Sequence, residues 1–376
     1  MRTLLLGVWL LCAAPLAQRA GDSVSTNVDL PTASQERCRI EVIHRATLGK
    51  LEDPVSVGIP MEAYVAEIPW GGWVVTEDGN DVIEYDSSGG FRRILGRRGE
   101  GPEEFRRPSS IAVDATDSTW VSDPRGRAVI VGPDGVPART LLSPQLYQIE
   151  GFTEAGLPLA MLLKVDRSGG DLTVLRYIQI WSRDGEPLAQ LGPANFSPEA
   201  QGTIHNEATA LQGVVMGDTL GVVPASWENW LTFWSASREW GTVPADSVWR
   251  TLALNNPPES FADGRPVAVS SDGAGGFWVL GVVRRLSEAR EESLIRMTGS
   301  QRGESADVYK KESAPVSNAV YDGVIIHVAL EGTVTGGMVF EDFPRGFSGP
   351  RQFYTFTETD QGLIQIQIWE ASRVGC

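Results

Sequence analysis

Short apolar or alternating runs recur along this chain, separated by Gly, Pro, Asp and Asn. Trp73-Val-Val-Thr, Val82-Ile-Glu-Tyr, Ile111-Ala-Val-Asp, Trp120-Val-Ser-Asp and Ala128-Val-Ile-Val belong to the first half. Ile178-Gln-Ile-Trp, Leu220-Gly-Val-Val, Phe277-Trp-Val-Leu and Leu363-Ile-Gln-Ile-Gln-Ile-Trp follow. Runs this short, with turn residues at both ends, predict β-strands, and helical periodicity is scarce.

The runs also repeat as a unit. Trp73-Val-Val-Thr returns as Trp120-Val-Ser-Asp, the strand ending at Asp86 as the one ending at Asp134, and Asp134-Gly135 as Asp184-Gly185. A strand-only repeat of about 50 residues predicts propeller blades of four antiparallel strands, because one blade cannot bury both its faces alone. The span from Cys38 to Cys376 holds six such units, an all-β, six-bladed β-propeller. The phasing is 62–98, 108–143, 149–192, 211–255, a fifth blade from Pro266 to Phe340, and a sixth with strands at 352–358 and 362–370. The charged stretch Arg284–Val316 interrupts the fifth blade, and Ser287–Met297 within it predicts a short helix with a Ser cap. The sixth blade lacks an outer strand, and Arg39–Arg45 is a spare one. Closure of the ring by that N-terminal strand would bring Cys38, which opens it, beside Cys376, at the end of the preceding strand. A disulfide between them is therefore expected.

Composition narrows the setting. The chain has 376 residues and a hydrophobic share of 42%, which argues against wholesale disorder. Its net charge of −16 repels phosphate backbones, so no nucleic-acid partner is expected. Arg2 followed by the apolar run Leu4–Ala14 reads as a secretory signal over 1–20, with a flexible leader over 21–37 and one propeller domain over 38–376. No later stretch is long and apolar enough to span a membrane as a helix. An extracytoplasmic protein, periplasmic or secreted, and monomeric, is the expectation.

Gly96-Arg-Arg-Gly-Glu-Gly-Pro-Glu-Glu-Phe105, Pro108-Ser-Ser-Ile-Ala-Val-Asp114, Trp120-Val-Ser-Asp123 and Arg127-Ala-Val-Ile-Val131 resemble the NHL-type repeat of bacterial six-bladed β-propeller proteins. Tyr321-Asp-Gly-Val-Ile-Ile and Ile366-Gln-Ile-Trp369-Glu resemble the C-terminal end of the same family. The resemblance implies the propeller fold. Pro124, Arg125 and Gly126 stand where the repeat usually carries an Asn after its Asp.

Catalytic chemistry finds little material. No Gly-x-Ser-x-Gly is present, and Gly96–Phe105 lacks the Gly-Lys-Ser/Thr of a phosphate loop. The reading of that segment is an inter-blade connection with Phe105 packed between sheets. His44 and His327 alternate with apolar strand residues; His205 lies in a polar loop. The expected function is non-catalytic binding of a protein, peptide or glycan through one face, without a cofactor. Arg97, Arg98, Glu100, His205 and Trp227 are the candidate contacts. Trp230 and Trp234 alternate onto one strand face and read as core. The alternative is a calcium-dependent, lactonase-like hydrolase with the metal in the central channel. Asp78, Asp114, Asp123, Asp272 and Asn318 offer the oxygen donors calcium requires, although Asp beside Gly is also ordinary turn chemistry.

Overall fold

A computed structural model describes residues 38–53, 64–76, 81–99, 101, 104–106, 108–123, 126–166, 173–191, 213–216, 219–222, 229–235, 238–252, 258, 264–286 and 314–376. The signal and leader expected over 1–37 lie outside them.

The chain is an all-β propeller of antiparallel sheets. The first sheet runs β2 (Tyr64–Glu67), β3 (Trp73–Thr76), β4 (Val82–Tyr85), β5 (Phe91–Arg98) and β6 (Glu104–Phe105). The second holds β7 (Ser110–Val113), β8 (Thr119–Asp123), β9 (Arg127–Val131) and β10 (Pro137–Leu142). The third holds β11 (Leu146–Phe152), β12 (Pro158–Asp166), β13 (Thr173–Trp181) and β14 (Pro187–Leu191). The fourth holds β15 (Gly213–Met216), β16 (Thr219–Val222), β17 (Asn229–Ser235) and β18 (Arg238–Pro244). The fifth holds β19 (Gly264–Ser271), β20 (Gly276–Arg284), β21 (Tyr321–Ala329) and β22 (Val334–Phe340). In the last sheet β23 (Pro344–Phe347), β24 (Gln352–Glu358) and β25 (Ile364–Val374) are followed by β1 (Arg39–Leu48).

Five of these sheets have four strands, where six of that kind were expected. The remaining one has five, because Glu104–Phe105 adds in parallel beside Arg97 and Arg98. Among the described residues two helices were not expected: α1 (Ala245–Leu252), inside the stretch assigned to the fourth blade, and α2 (Ala314–Val320), before β21. In α1 the residues Ala245, Val248 and Trp249 are buried, with Leu252 packed against the same core. Their helical spacing forms one apolar stripe. The helix expected over Ser287–Met297 lies outside the described residues. Strand β23 was not expected either; Arg345 and Gly346 interrupt its apolar pattern.

Why the strands are so apolar follows from how the sheets pack. Inner strands are covered on both faces, so Trp73–Thr76 and Val82–Tyr85 are buried at every position, whereas the outer strand Pro187–Leu191 is buried only at Leu191. Tyr64, Val74, Val82 and Phe105 of the first sheet share a cluster with Ile111, Val121 and Val129 of the second. Trp230 and Phe233 of the fourth pack on Phe277, Val279 and Ile326 of the fifth. Strand β1 contributes to two such clusters. Ala46 and Leu48 join Trp73 and Tyr85, whereas Ile40 joins Trp278 and Ile325.

A second inter-sheet device repeats at the outer strands. Arg93 on β5 donates to the carbonyls of Pro133 and Asp134 at 2.8 and 2.6 Å. Arg139 on β10 donates to Asp184 Oδ1 and the Arg183 carbonyl at 2.7 and 2.9 Å. The repeated Asp-Gly turns thus serve the neighbouring sheet. At the corresponding turn of the first sheet, Gly89 has φ +78°, and a Cβ there would lie 2.5 Å from the Thr47 carbonyl of β1.

β1 pairs antiparallel with β25 from Arg39↔Val374 to Leu48↔Ile366. Cys38 and Cys376 form a disulfide with their Cα atoms 5.3 Å apart. No helix among the described residues is long and apolar enough to cross a membrane.

Candidate functional site

The first strands of the sheets touch in sequence: β2 with β7, β7 with β11, β11 with β15, β15 with β19, β19 with β23, and β23 with β2. They enclose a cavity of about 380 Å³. Its wall carries Tyr64, Ser110 and Gln148 toward one end and Thr153, Glu154, Ser271, Ser348, Gly349 and Pro350 at the other. Ser271 ends β19 and the others are residues of first-to-second-strand turns, so this mouth opens on the face of the tight turns. Glu150 and Glu154 bring two carboxylates to it, and Phe152, Phe347 and Tyr354 supply apolar surface.

Glu67 lies close by. Its Oε2 sits so near Gly349 that a Cβ there would come within 2.1 Å, and Gln352 donates to its Oε1 at 2.7 Å. Burial, with the nearby Glu370 charge, pushes the Glu67 carboxyl above its ordinary pKa. Burial also raises the Tyr354 phenol well above its ordinary value, so it stays neutral.

The long connections leave from the opposite face. Leu191 to Gly213, Val222 to Asn229, Leu252 to Gly264 and Arg284 to Ala314 are all second-to-third-strand connections or links to the next sheet. An up-and-down sheet puts both kinds at the end away from the tight turns.

Arg97 is exposed on β5, opposite Glu104. Arg98 pairs with Phe105 through its backbone, and its side chain lies outside the described residues, as do Asp78, Glu100, His205 and Trp227. Trp230 is buried in core, as its spacing implied; the Trp234 side chain lies outside the described residues.

The four calcium candidates among the described residues sit on different elements. Asp114 occupies the β7–β8 turn, where Oδ1 accepts from the Thr116 and Ser118 amides at 2.8 and 3.1 Å and Oδ2 accepts from Trp120 Nε1 at 3.2 Å. Burial opposes ionisation there, but these bonds hold its pKa below the ordinary value. Asp272 does the same in the β19–β20 turn, with the Ala274 and Gly276 amides at 2.7 and 2.8 Å. Asp123 is buried at the far end of β8, opposite Arg127. Asn318, on α2, donates to the Phe356 carbonyl at 2.9 Å and accepts from the Phe343 amide at 3.1 Å. Among the described residues no three His, Cys, Asp or Glu side chains gather as metal ligands would.

One polar constellation escaped the sequence reading. His327, which alternates with apolar residues in its strand, is 1% exposed. Its Nε2–H donates to Asp272 Oδ2 at 2.8 Å, and the Thr335 hydroxyl lies 2.7 Å from its Nδ1. Arg373 of β25 approaches the same carboxylate at 3.6 Å. The Cys38 amide donates to the Thr335 carbonyl at 3.0 Å. The network therefore joins the fifth sheet to the disulfide end of the last one. Nothing local marks it, because Asp272 and His327 meet only across separate strands.

No family model matches the chain, and no curated protein matches it. Among solved structures, similar ones include a DUF4221 family member from Bacteroides vulgatus, with TM-score 0.46, 8% identity, and coverage of 90% of this chain and 100% of that one. A luciferin-regenerating enzyme follows, with TM-score 0.45, 11% identity and coverage of 85% and 94%. BamB from Moraxella catarrhalis has TM-score 0.35, 10% identity and coverage of 88% and 98%.

Proposed function

We propose that the chain is an extracytoplasmic, non-catalytic binding scaffold, a monomeric six-bladed propeller of the NHL-repeat type whose last blade is completed by β1. It engages a protein, peptide or glycan through the face of the long connections. One observation carries this reading: the tight turns gather at one face of a rigid ring, and the long connections leave from the other. Long loops on a rigid scaffold are where binding concentrates. The antiparallel pairing of β1 with β25 and its burial against two sheets support the closure. The disulfide supports an oxidising compartment.

The test replaces residues 288–312, within the connection from Arg284 to Ala314, by a short Gly-Ser link. Intact protein and variant are then applied to a glycan array, a peptide library and an extracytoplasmic extract of the source cells. The expected result is a specific ligand for the intact protein, lost in a variant whose melting temperature is unchanged. Absence of any ligand for the intact protein, or undiminished binding by the variant, overturns the reading.

A further inference from the structure

We propose that the last sheet binds a neutral oligosaccharide on its side toward the fifth sheet, a ligand class that rests on the reading of this chain as a binding scaffold. Near the disulfide that side is ordinary core. Ile40, Phe353 and Ala371 pack on Trp278 and Ile325 of the fifth sheet. The two sheets come so close there that a Cβ on Gly336 would lie 2.5 Å from the Cys38 carbonyl. Away from the disulfide the same side changes character. At alternate positions of β25, buried Ala371 gives way to half-buried Trp369, Gln367 and Gln365. Thr357 lies opposite Gln365 on β24, and His44 and Thr47 lie opposite Trp369 and Gln367 on β1. His44 is exposed, and Thr47 and Thr357 are half-buried. The strip ends beside the β24–β25 turn, a second-to-third-strand connection, and so at the face of the long connections.

These six side chains are two amides, two hydroxyls, an imidazole and an indole, with no Asp, Glu, Lys or Arg among them. They hold one another in place. Gln367 Oε1 accepts from the Thr47 hydroxyl at 2.7 Å and from His44 Nε2 at 2.9 Å, and Gln367 Nε2 donates to the Thr357 hydroxyl at 3.0 Å. The His44 ring stands edge-on to the Trp369 ring with centroids 5.1 Å apart, and Trp369 Nε1 donates to the buried Thr355 hydroxyl at 3.0 Å. Groups fixed before a ligand arrives lose little freedom when it binds. Capacity remains in the second N–H of the Gln367 amide, the hydrogen of the Thr357 hydroxyl and the Gln365 amide. Donors and acceptors of this kind match sugar hydroxyls, each of which both donates and accepts. Trp369 adds apolar surface for the C–H face of a pyranose ring. An uncharged strip complements an uncharged ligand, and the net charge of −16 around it repels an acidic one. A peptide strand would need an open sheet edge for its backbone, and this strip is a sheet face.

The experiment is calorimetric titration of the intact protein with maltohexaose, cellohexaose, mannohexaose, N-acetylchitohexaose and an oligogalacturonate of the same length, at low and high salt. One of the neutral hexaoses is expected to bind saturably, one to one and independently of salt, and the acidic oligomer more weakly. His44→Ala and Gln365→Ala, at exposed and half-buried positions outside the core, should each weaken that hexaose about fivefold, as loss of one hydrogen bond does, with the melting temperature unchanged. The proposal is overturned if no neutral hexaose binds saturably at millimolar concentration, if the acidic oligomer binds more tightly, or if both substitutions leave binding undiminished. Capture of a protein or peptide with no hexaose bound also overturns it, and leaves the scaffold reading standing. Hexaose binding that both substitutions weaken, but that survives replacement of residues 288–312, supports the strip and removes only the role given to that connection.

Discussion

Asp272 illustrates how one carboxylate is assigned by its surroundings. One oxygen closes its own turn, and the other accepts from the buried His327 ring. Asp272 was legible as an oxygen donor, but not as the partner of a histidine on another strand. Burial lowers the His327 pKa, the Arg373 charge adds to this, and the Asp272 bond opposes it. The hydrogen bonds leave the Asp272 pKa lowered too. Both folded states therefore bind fewer protons than the unfolded chain, and both effects remove stability as pH falls. For His327 the loss begins as pH drops through 6.5, its ordinary value, and ends at the lower folded pKa. For Asp272 it begins only near 3.8. Glu67, Asp322 and Asp342 have raised pKa values and act in the opposite sense, losing stability as pH rises. The His327 contribution is thus best read as a difference between proteins. His327→Gln should flatten the melting temperature between pH 7.5 and 5 relative to the parent; an unchanged slope would show that His327 does not titrate there.

Among the elements, the parallel addition of β6 to β5 explains the glycine-rich segment before it. Phe105 is fully buried, and its ring lies so close to Gly96 that a Cβ there would fall 2.1 Å from it. The inter-blade position of Phe105 was legible from the Gly and Pro around it, whereas the parallel pairing was not, since two residues carry no periodicity. The apolar stripe of α1 was legible as well, but strand repeats on either side drew it into a strand reading. Phe105→Ala should cost about 3–5 kcal/mol. Gly96→Ala should be destabilising on its own, because the ring cannot withdraw from a packed interface. Both residues act on one contact, so the double variant should lose clearly less than the two singles together. Urea unfolding of the four proteins measures this; strict additivity would mean that the ring and the glycine do not meet.

At the scale of the whole molecule, the repeat of about 50 residues made the ring legible, while the two sides of the channel were not. Glu150 and Glu154 share a mouth with Ser271 and Ser348 only because turns of different sheets converge, and no local spacing encodes that. The pairing of β1 with β25 is where the two ends of the described chain meet. β1 covers the outer side of β25 and buries Cys38, Ile40, Ala46 and Leu48. Removing it exposes an unpaired strand edge and opens two apolar clusters at once. The fitting reference is a Cys38→Ser, Cys376→Ser protein that keeps β1, because it separates the strand from the disulfide. A Cys376→Ser protein beginning at Lys50 should unfold at markedly lower urea than this reference. A peptide of residues 38–50 carrying Cys38→Ser should restore the midpoint when added in trans, since strand pairing and burial need no covalent link. Equal midpoints with and without β1 would mean that the ring holds together without its N-terminal strand.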